Sequence, residues 1–156
     1  MSVTLSQIRQ RLAQIQRQIP GVKRAFDYVP LALPDSDLPA FCNFVGPASF
    51  TQTGDVVGEE TRTWIMRLYV RPVLQGIDGE TEKSVDQFLI GVRNTFLSHP
   101  AFGLGSSASL LPEVKRAVWQ GDNGIQVLEF AGQTYLGVEF RLAVITTILI
   151  GYSDYE

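Results

Sequence analysis

Of 156 residues only one is cysteine (Cys42), one is histidine (His99) and two are methionine, while charged side chains make up 19%. A single cysteine excludes a disulfide within the chain, and nothing points to an oxidising compartment. One His and one Cys also exclude a zinc or iron site of soft ligands built by one chain, because such sites take three or four of them. Long apolar runs are missing as well. The longest, Leu142 to Ile150, carries Thr146 and Thr147 and falls far short of the ~20 residues a spanning helix needs. The first residues lack the basic-then-apolar pattern of a signal peptide, so the expectation is a protein that is cytoplasmic when made. Basic residues are in the minority, with a formal charge of −3 and a pI near 5.2, which argues against binding nucleic acid by phosphate neutralisation.

Catalytic constellations are also absent. His99 precedes Pro100 at the end of a predicted helix, where its expected role is to meet the last carbonyls. Asp55, Glu59 and Glu60 fit no calcium-loop spacing and read as a solvated acidic loop. Gly103-Leu104-Gly105-Ser106-Ser107 has no following Lys and is no phosphate loop. Ser106, Ser107 and Ser109 lack the G-x-S-x-G elbow of a nucleophile. Trp64 and Trp119 most simply fill a core or an interface, and no aromatics interleave with bases as in single-strand binders. The expectation is therefore no enzyme, no metal and no cofactor.

What the chain does have is strand pattern, above all from Thr134 to Ile150. Leu136, Val138, Phe140, Leu142, Val144, Thr146, Ile148 and Ile150 occupy the even positions, and Glu139, Arg141 and Thr147 fall among the odd ones. That is the period of a strand. Fully extended it spans roughly 55 Å, whereas a compact domain of this length is about 40 Å across. It must bend, break or project, and Gly137 offers a place for a bulge or bend.

The other elements follow from local signals. Thr4 as N-cap with Gln7 three residues on forms a capping box, and Leu5, Ile8, Leu12, Ile15 and Ile19 make one apolar stripe that Pro20-Gly21 ends. Val22 to Tyr28 reads as a strand, Val29 to Pro39 as a proline-broken connector, and Ala40 to Val45 as a second strand. Gly46 to Thr61 reads as a long polar loop, of a length usually functional or disordered. Arg62 to Pro72 alternates, with Trp64, Met66, Leu68 and Val70 on one face, so that two strands joined by a long loop make a projecting arm. A second helix runs from about Gly79 to Ser98, with Val85, Phe88, Leu89, Val92 and Phe96 on one face and acids Asp78, Glu80 and Glu82 at its start. After a Gly/Ser-rich turn at Gly103 to Ser109, Val114 to Gln120 and Ile125 to Phe130 flank Gly121-Asp122-Asn123-Gly124, a hairpin signal. The order predicts a single α+β domain over 1–156: a mainly antiparallel twisted sheet, strands joined by hairpins, with two helices packed on one face and a long projecting loop or hairpin arm.

Charge is unevenly placed. Arg9, Arg11, Arg17, Lys23 and Arg24 against Asp27 alone leave residues 1–30 at +4 and the remainder at −7. Two readings stand equally: a head-to-tail contact between copies, in which a basic end meets an acidic face and closes into a ring, or a solvated helix face over the chain's own acids.

The opening helix Thr4-Leu5-Ser6-Gln7-Ile8-Arg9, the proline-rich approach to Pro39-Ala40-Phe41, the Arg62 to Pro72 strand after its long loop, the second helix, and the closing Tyr135-Leu136-Gly137-Val138-Glu139-Phe140-Arg141-Leu142 strand together resemble the tail terminator, or tail completion, proteins of long-tailed bacteriophages and their neck relatives. The resemblance implies a homohexameric ring that caps the tail tube, stops its polymerisation and joins the tail to the head connector. It further implies a virion location and a central channel that DNA traverses without specific binding. By it, Asp55, Glu59, Glu60 and Arg62 on the arm would meet the tube protein or a neighbouring subunit, and Arg9, Arg11 and Arg17 an adjacent acidic surface. Another head-tail joining or neck ring protein is the nearer alternative, and a small monomeric ligand-binding or enzymatic α+β domain the more distant one.

Overall fold

The computed structural model describes residues 3–73, 79–100 and 114–150, with the side chains of 79–81 left aside. Helix α1 (Leu5–Gln16) begins with the expected capping box: the Gln7 amide N–H donates to Thr4 Oγ1 at 3.1 Å, and the Thr4 N–H donates to Gln7 Oε1 at 2.8 Å. It ends four residues before Pro20, in turns that carry Gln18, Ile19 and Val22.

Five strands form one sheet: β1 (Arg24–Ala25), β2 (Ala40–Gln52), β3 (Val57–Pro72), β4 (Val114–Phe130) and β5 (Gln133–Leu149), in the order β1-β2-β3-β5-β4. The fold is α+β with a mostly antiparallel sheet. β1 corrects two expectations, being two residues long rather than spanning Val22 to Tyr28, and pairing parallel with β2, Arg24 opposite Ala40. The connector between them is therefore a crossover, not a hairpin, broken by prolines into a single 3-10 turn at Asp35–Asp37.

Gly46 to Thr61 is not a loop. β2 runs on to Gln52 and β3 starts at Val57, so only residues 53–56 turn, and one bulge between Val45 and Ala48 absorbs Gly46 and Pro47. Polar residues with Gly and Pro still make a ladder, because a hairpin lying in water needs cross-strand bonds and no apolar period. The Gly121-Asp122-Asn123-Gly124 hairpin is corrected likewise. These residues sit within one continuous β4, where their irregular backbone, φ 91° at Gly121 and 83° at Gly124, becomes paired register shifts between Trp119 and Ile125. The real hairpin joins β4 to β5 at Ala131 and Gly132, with φ values of 50° and 80°, the positive pair that a two-residue turn requires.

β5 is unbroken over 17 residues. At Gly137 it passes so close to β3 that any Cβ would run into the Leu68 carbonyl, and the register of β3 slips there, between Tyr69 and Arg71.

Helix α2 (Gly79–Leu97) and α1 share one face of the sheet. Ile8, Leu12, Ile15, Val85, Phe88, Val92 and Phe96 pack on Trp64, Met66, Leu68, Leu136, Val138 and Phe140. Trp119 stacks on Phe96 (6.1 Å between centroids) and tilts against Phe140 (5.6 Å), tying the end of α2 to β4. On the other face a smaller cluster forms where the connector folds over, with Leu33 and Leu38 against Tyr69, Leu128, Phe130 and Tyr135. Neither cluster takes a residue from 45–63 of β2 and β3. On β5 the core still reaches Val144, opposite Arg62, and β4 brings Val114 beside Thr146, so it is only past Glu60 that the three strands run on to the tip as an arm, for about 10 Å at ~3.3 Å per residue.

Candidate interface: basic helix, polar face and arm

The basic N-terminal residues are largely engaged within the subunit. Arg9 donates through Nε to the Asn43 carbonyl at 3.1 Å and lies over the Trp64 ring at 5.5 Å. Arg17 donates to the Ala25 carbonyl at 2.8 Å. Arg11 is only 3% exposed, its Nη1 has no hydrogen-bond partner, and burial lowers its pKa. Arg11 is thus not on the accessible surface, and its position three residues after Ile8, on the flank of the apolar stripe, is the signal that predicts this. The helix is anchored by a pair that no sequence pattern announced. Gln16 Nε2 donates to Asn43 Oδ1 at 2.6 Å and Asn43 Nδ2 donates back to Gln16 Oε1 at 2.9 Å, both side chains fully buried.

On the face away from the helices a buried carboxylate gathers three donors. Glu139 Oε1 accepts from Arg67 Nε at 2.9 Å, and Oε2 accepts from Asn123 Nδ2 at 2.7 Å and Arg141 at 3.3 Å. Burial alone would lower the Arg67 pKa, but its bond to Glu139 and the nearness of Tyr69 and Glu139 raise it. The bulged stretch of β4 thereby has a use, delivering Asn123 to the sheet's open face. Deeper in, the Tyr69 hydroxyl has no hydrogen-bond partner, and burial pushes its pKa up to about 12 against the opposing pull of Arg67. Burial does the same to the Cys42 thiol, also to about 12, which leaves it protonated and unreactive at neutral pH.

The arm holds the remaining candidates. Glu59 pairs with Lys115 at 2.6 Å, and Glu60 with Arg62 at 3.2 Å, while Arg62 also donates to the Gly46 carbonyl at 2.9 Å. Asp55 is exposed in the turn at the tip. The structure thus brings Glu60 and Arg62 together and pairs Glu59 with Lys115 on the first residues of β4, and among the described residues no α1 arginine forms an ion pair with the arm's acids. The residues that sequence reasoning passed over are apolar: Phe50 (53% exposed), Val56 and Leu149 (66%). Phe50 lies across Gly58, where a Cβ would displace the ring.

His99 Nδ1 donates to the Thr95 carbonyl at 2.8 Å, the local role expected of it. Among the described residues no three His, Cys, Asp or Glu side chains gather as a metal site, and no helix is long and apolar enough to cross a membrane. The Gly103 to Ser109 segment lies outside the described residues. The chain matches no model of a known protein family and none of the curated proteins with which it was compared.

Proposed function

We propose that this chain is a structural, non-enzymatic component of a bacteriophage tail, forming a ring of six copies that caps the tail tube, ends its polymerisation and meets the head connector, with DNA passing through the central channel. The observation that carries the reading is the arm. The ends of three strands run on past both hydrophobic clusters, and among the described residues Phe50, Val56 and Leu149 are exposed there. Such an extension gains nothing for an isolated domain, because it orders chain without burying a core. It becomes favourable when a neighbour covers it. The resemblance to tail terminators supplies the kind of assembly, and the low charge of the chain agrees with extensive subunit contacts.

The test is solution mass by light scattering on a size-exclusion column, with negative-stain images of the main peak. A ring with six-fold symmetry and a central hole is the expected result. A monodisperse monomer at tens of micromolar overturns the ring and favours a small ligand-binding domain instead.

A further inference from the structure

The β2 edge of this sheet is treated in two ways along its length. In the body β1 covers its start, with the Phe26 N–H donating to the Phe41 carbonyl at 3.1 Å. Arg9 takes the next outward carbonyl, that of Asn43. The opposite edge, β4, is broken by its register shifts and carries Lys115, Arg116, Asp122 and Glu129. Covering, breaking and charging are the devices by which proteins keep sheet edges from pairing.

The outer stretch of β2 has none of them. Ala48-Ser49-Phe50-Thr51-Gln52 are all exposed and include no charge and no proline, and the acids that follow them, Glu59 and Glu60, sit on β3 and are paired with Lys115 and Arg62. Which backbone groups point outward follows from the ladder. The Thr53 N–H donates to the Val57 carbonyl, so residue 53 faces β3. By alternation Ser49 and Thr51 face β3 as well, while Ala48, Phe50 and Gln52 point their N–H and C=O groups away from it. The chain on either side of this stretch, residues 3–47 and 53–73, is described throughout, and none of it bonds to these outward groups.

The stretch is closed at both ends, by Pro47, which has no N–H to offer, and by the turn that begins at Thr53. Its outward groups are therefore symmetric about Phe50. Rotated by half a turn, the edge presents Gln52, Phe50 and Ala48 to Ala48, Phe50 and Gln52, and every outward N–H meets an outward carbonyl.

We infer that the occupant of this edge is the same edge of a second copy, paired antiparallel about a twofold axis at Phe50. The antiparallel sense sends the two bodies to opposite ends, each beyond the other's turn at residues 53–56, so that only the outer strands overlap. Phe50 leans over Gly58, toward β3, which leaves the two backbones room to approach, and no like charges face each other across the seam. Main-chain bonds supply the attachment. The contact is isologous, so it uses up its own edge and adds one copy only. It is thus independent of the contacts that close the ring proposed above: with them two rings meet arm to arm, and without them two single chains do.

Ala48→Pro removes an outward N–H at each end of the seam and leaves the ladder to β3 intact. It is expected to halve the mass read by light scattering, with unchanged circular dichroism and melting temperature. Val127→Lys, at an exposed position on the β4 edge, is expected to leave the mass as it is. Register is read by cross-linking. Ser49 of one copy and Thr51 of the other lie opposite each other with Cα atoms about 4.5 Å apart, within reach of a disulfide. Cys42 stays out of the reaction, being buried with its thiol pKa pushed up to about 12. Ser49→Cys mixed with Thr51→Cys under oxidised glutathione is expected to give a cross-linked dimer, and neither variant alone is expected to give one. No cross-link in the mixture, or one formed by either variant with itself, overturns the twofold register. A mass that Ala48→Pro does not halve overturns the pair, and rings still seen in that variant leave the ring standing. Cross-linked pairs without rings sink the ring alone.

Discussion

β2, β3 and β5 each pass through two environments, and the difference between them separates what holds this molecule together from what it presents. In the body the three strands are covered on one face by both helices and partly on the other by the connector, so Phe41, Trp64, Met66 and Phe140 are fully buried. A few residues further along, the same strands carry Phe50 and Leu149 with more than half their surface in water. Stability is concentrated in the body. Among the described residues the arm is ordered by its ladder, by side-chain bonds such as Arg62 to the Gly46 carbonyl, and by small ion pairs such as Glu60 with Arg62, worth under about 1 kcal/mol each at such exposure.

The sharpest way to test that division is to truncate one large aromatic in each region. Trp64→Ala empties the centre of the helix-facing core and is expected to cost about 3–5 kcal/mol in denaturant unfolding. Phe50→Ala is expected to change folding free energy by less than about 1 kcal/mol, as for exposed sites, while weakening assembly through the arm. Similar losses of stability from both would mean that the arm is part of the folding unit rather than a projection from it.

A smaller effect isolates what fastens α1 to the sheet. Asn43→Ala leaves the Gln16 amide buried without its partner, at an expected cost of about 1–3 kcal/mol. Gln16→Leu alone does the same to Asn43. The double variant Gln16→Leu/Asn43→Leu removes both polar groups together and is expected to recover most of that loss, a strongly non-additive cycle. Additive losses would show that the two amides act separately.

Much of the body was legible from residue order because its elements obey a period. The capping box of Thr4 and Gln7, the stripe from Leu5 to Ile19, the alternation of Arg62 to Pro72 and the apolar face of α2 all place side chains where a core must be. The arm was half legible. Its existence followed from the length of β5 and of the segment before Arg62, but residues 46–61 were read as a loop because acids, Gly and Pro mask a ladder that buries nothing. Gly121 to Gly124 misled for a related reason. A positive φ serves a bulge as well as a turn, and the turn actually used pairs Gly132 with Ala131, a residue with no preference for that conformation. The Gln16–Asn43 pair joins positions 27 apart and leaves no local trace. Of the interface candidates, the arm residues do lie where a partner could reach them, whereas Arg9 and Arg17 bond within the subunit. The uncharged, β-prone stretch Ala48 to Gln52 was the available signal for the edge, obscured by the acids that follow it.

Arg11 gives the smallest predicted effect and sets the body's one costly polar group against the arm's cheap ones. Arg11 is 3% exposed, has a buried Nη1 without a partner, and has its pKa lowered by desolvation alone. A buried charge of this kind is destabilising unless it is compensated, and an apolar side chain of similar length keeps the packing of the stem while removing the penalty. Arg11→Met is therefore expected to raise stability by about 1 kcal/mol, seen as a higher denaturant midpoint with an unchanged slope. Ring mass should stay the same, because a residue as buried as Arg11 offers a neighbouring copy nothing to touch. A loss of about 3 kcal/mol would instead mean that the charge is compensated within the body. A more stable subunit that no longer assembles would move the joint from the arm to the helices.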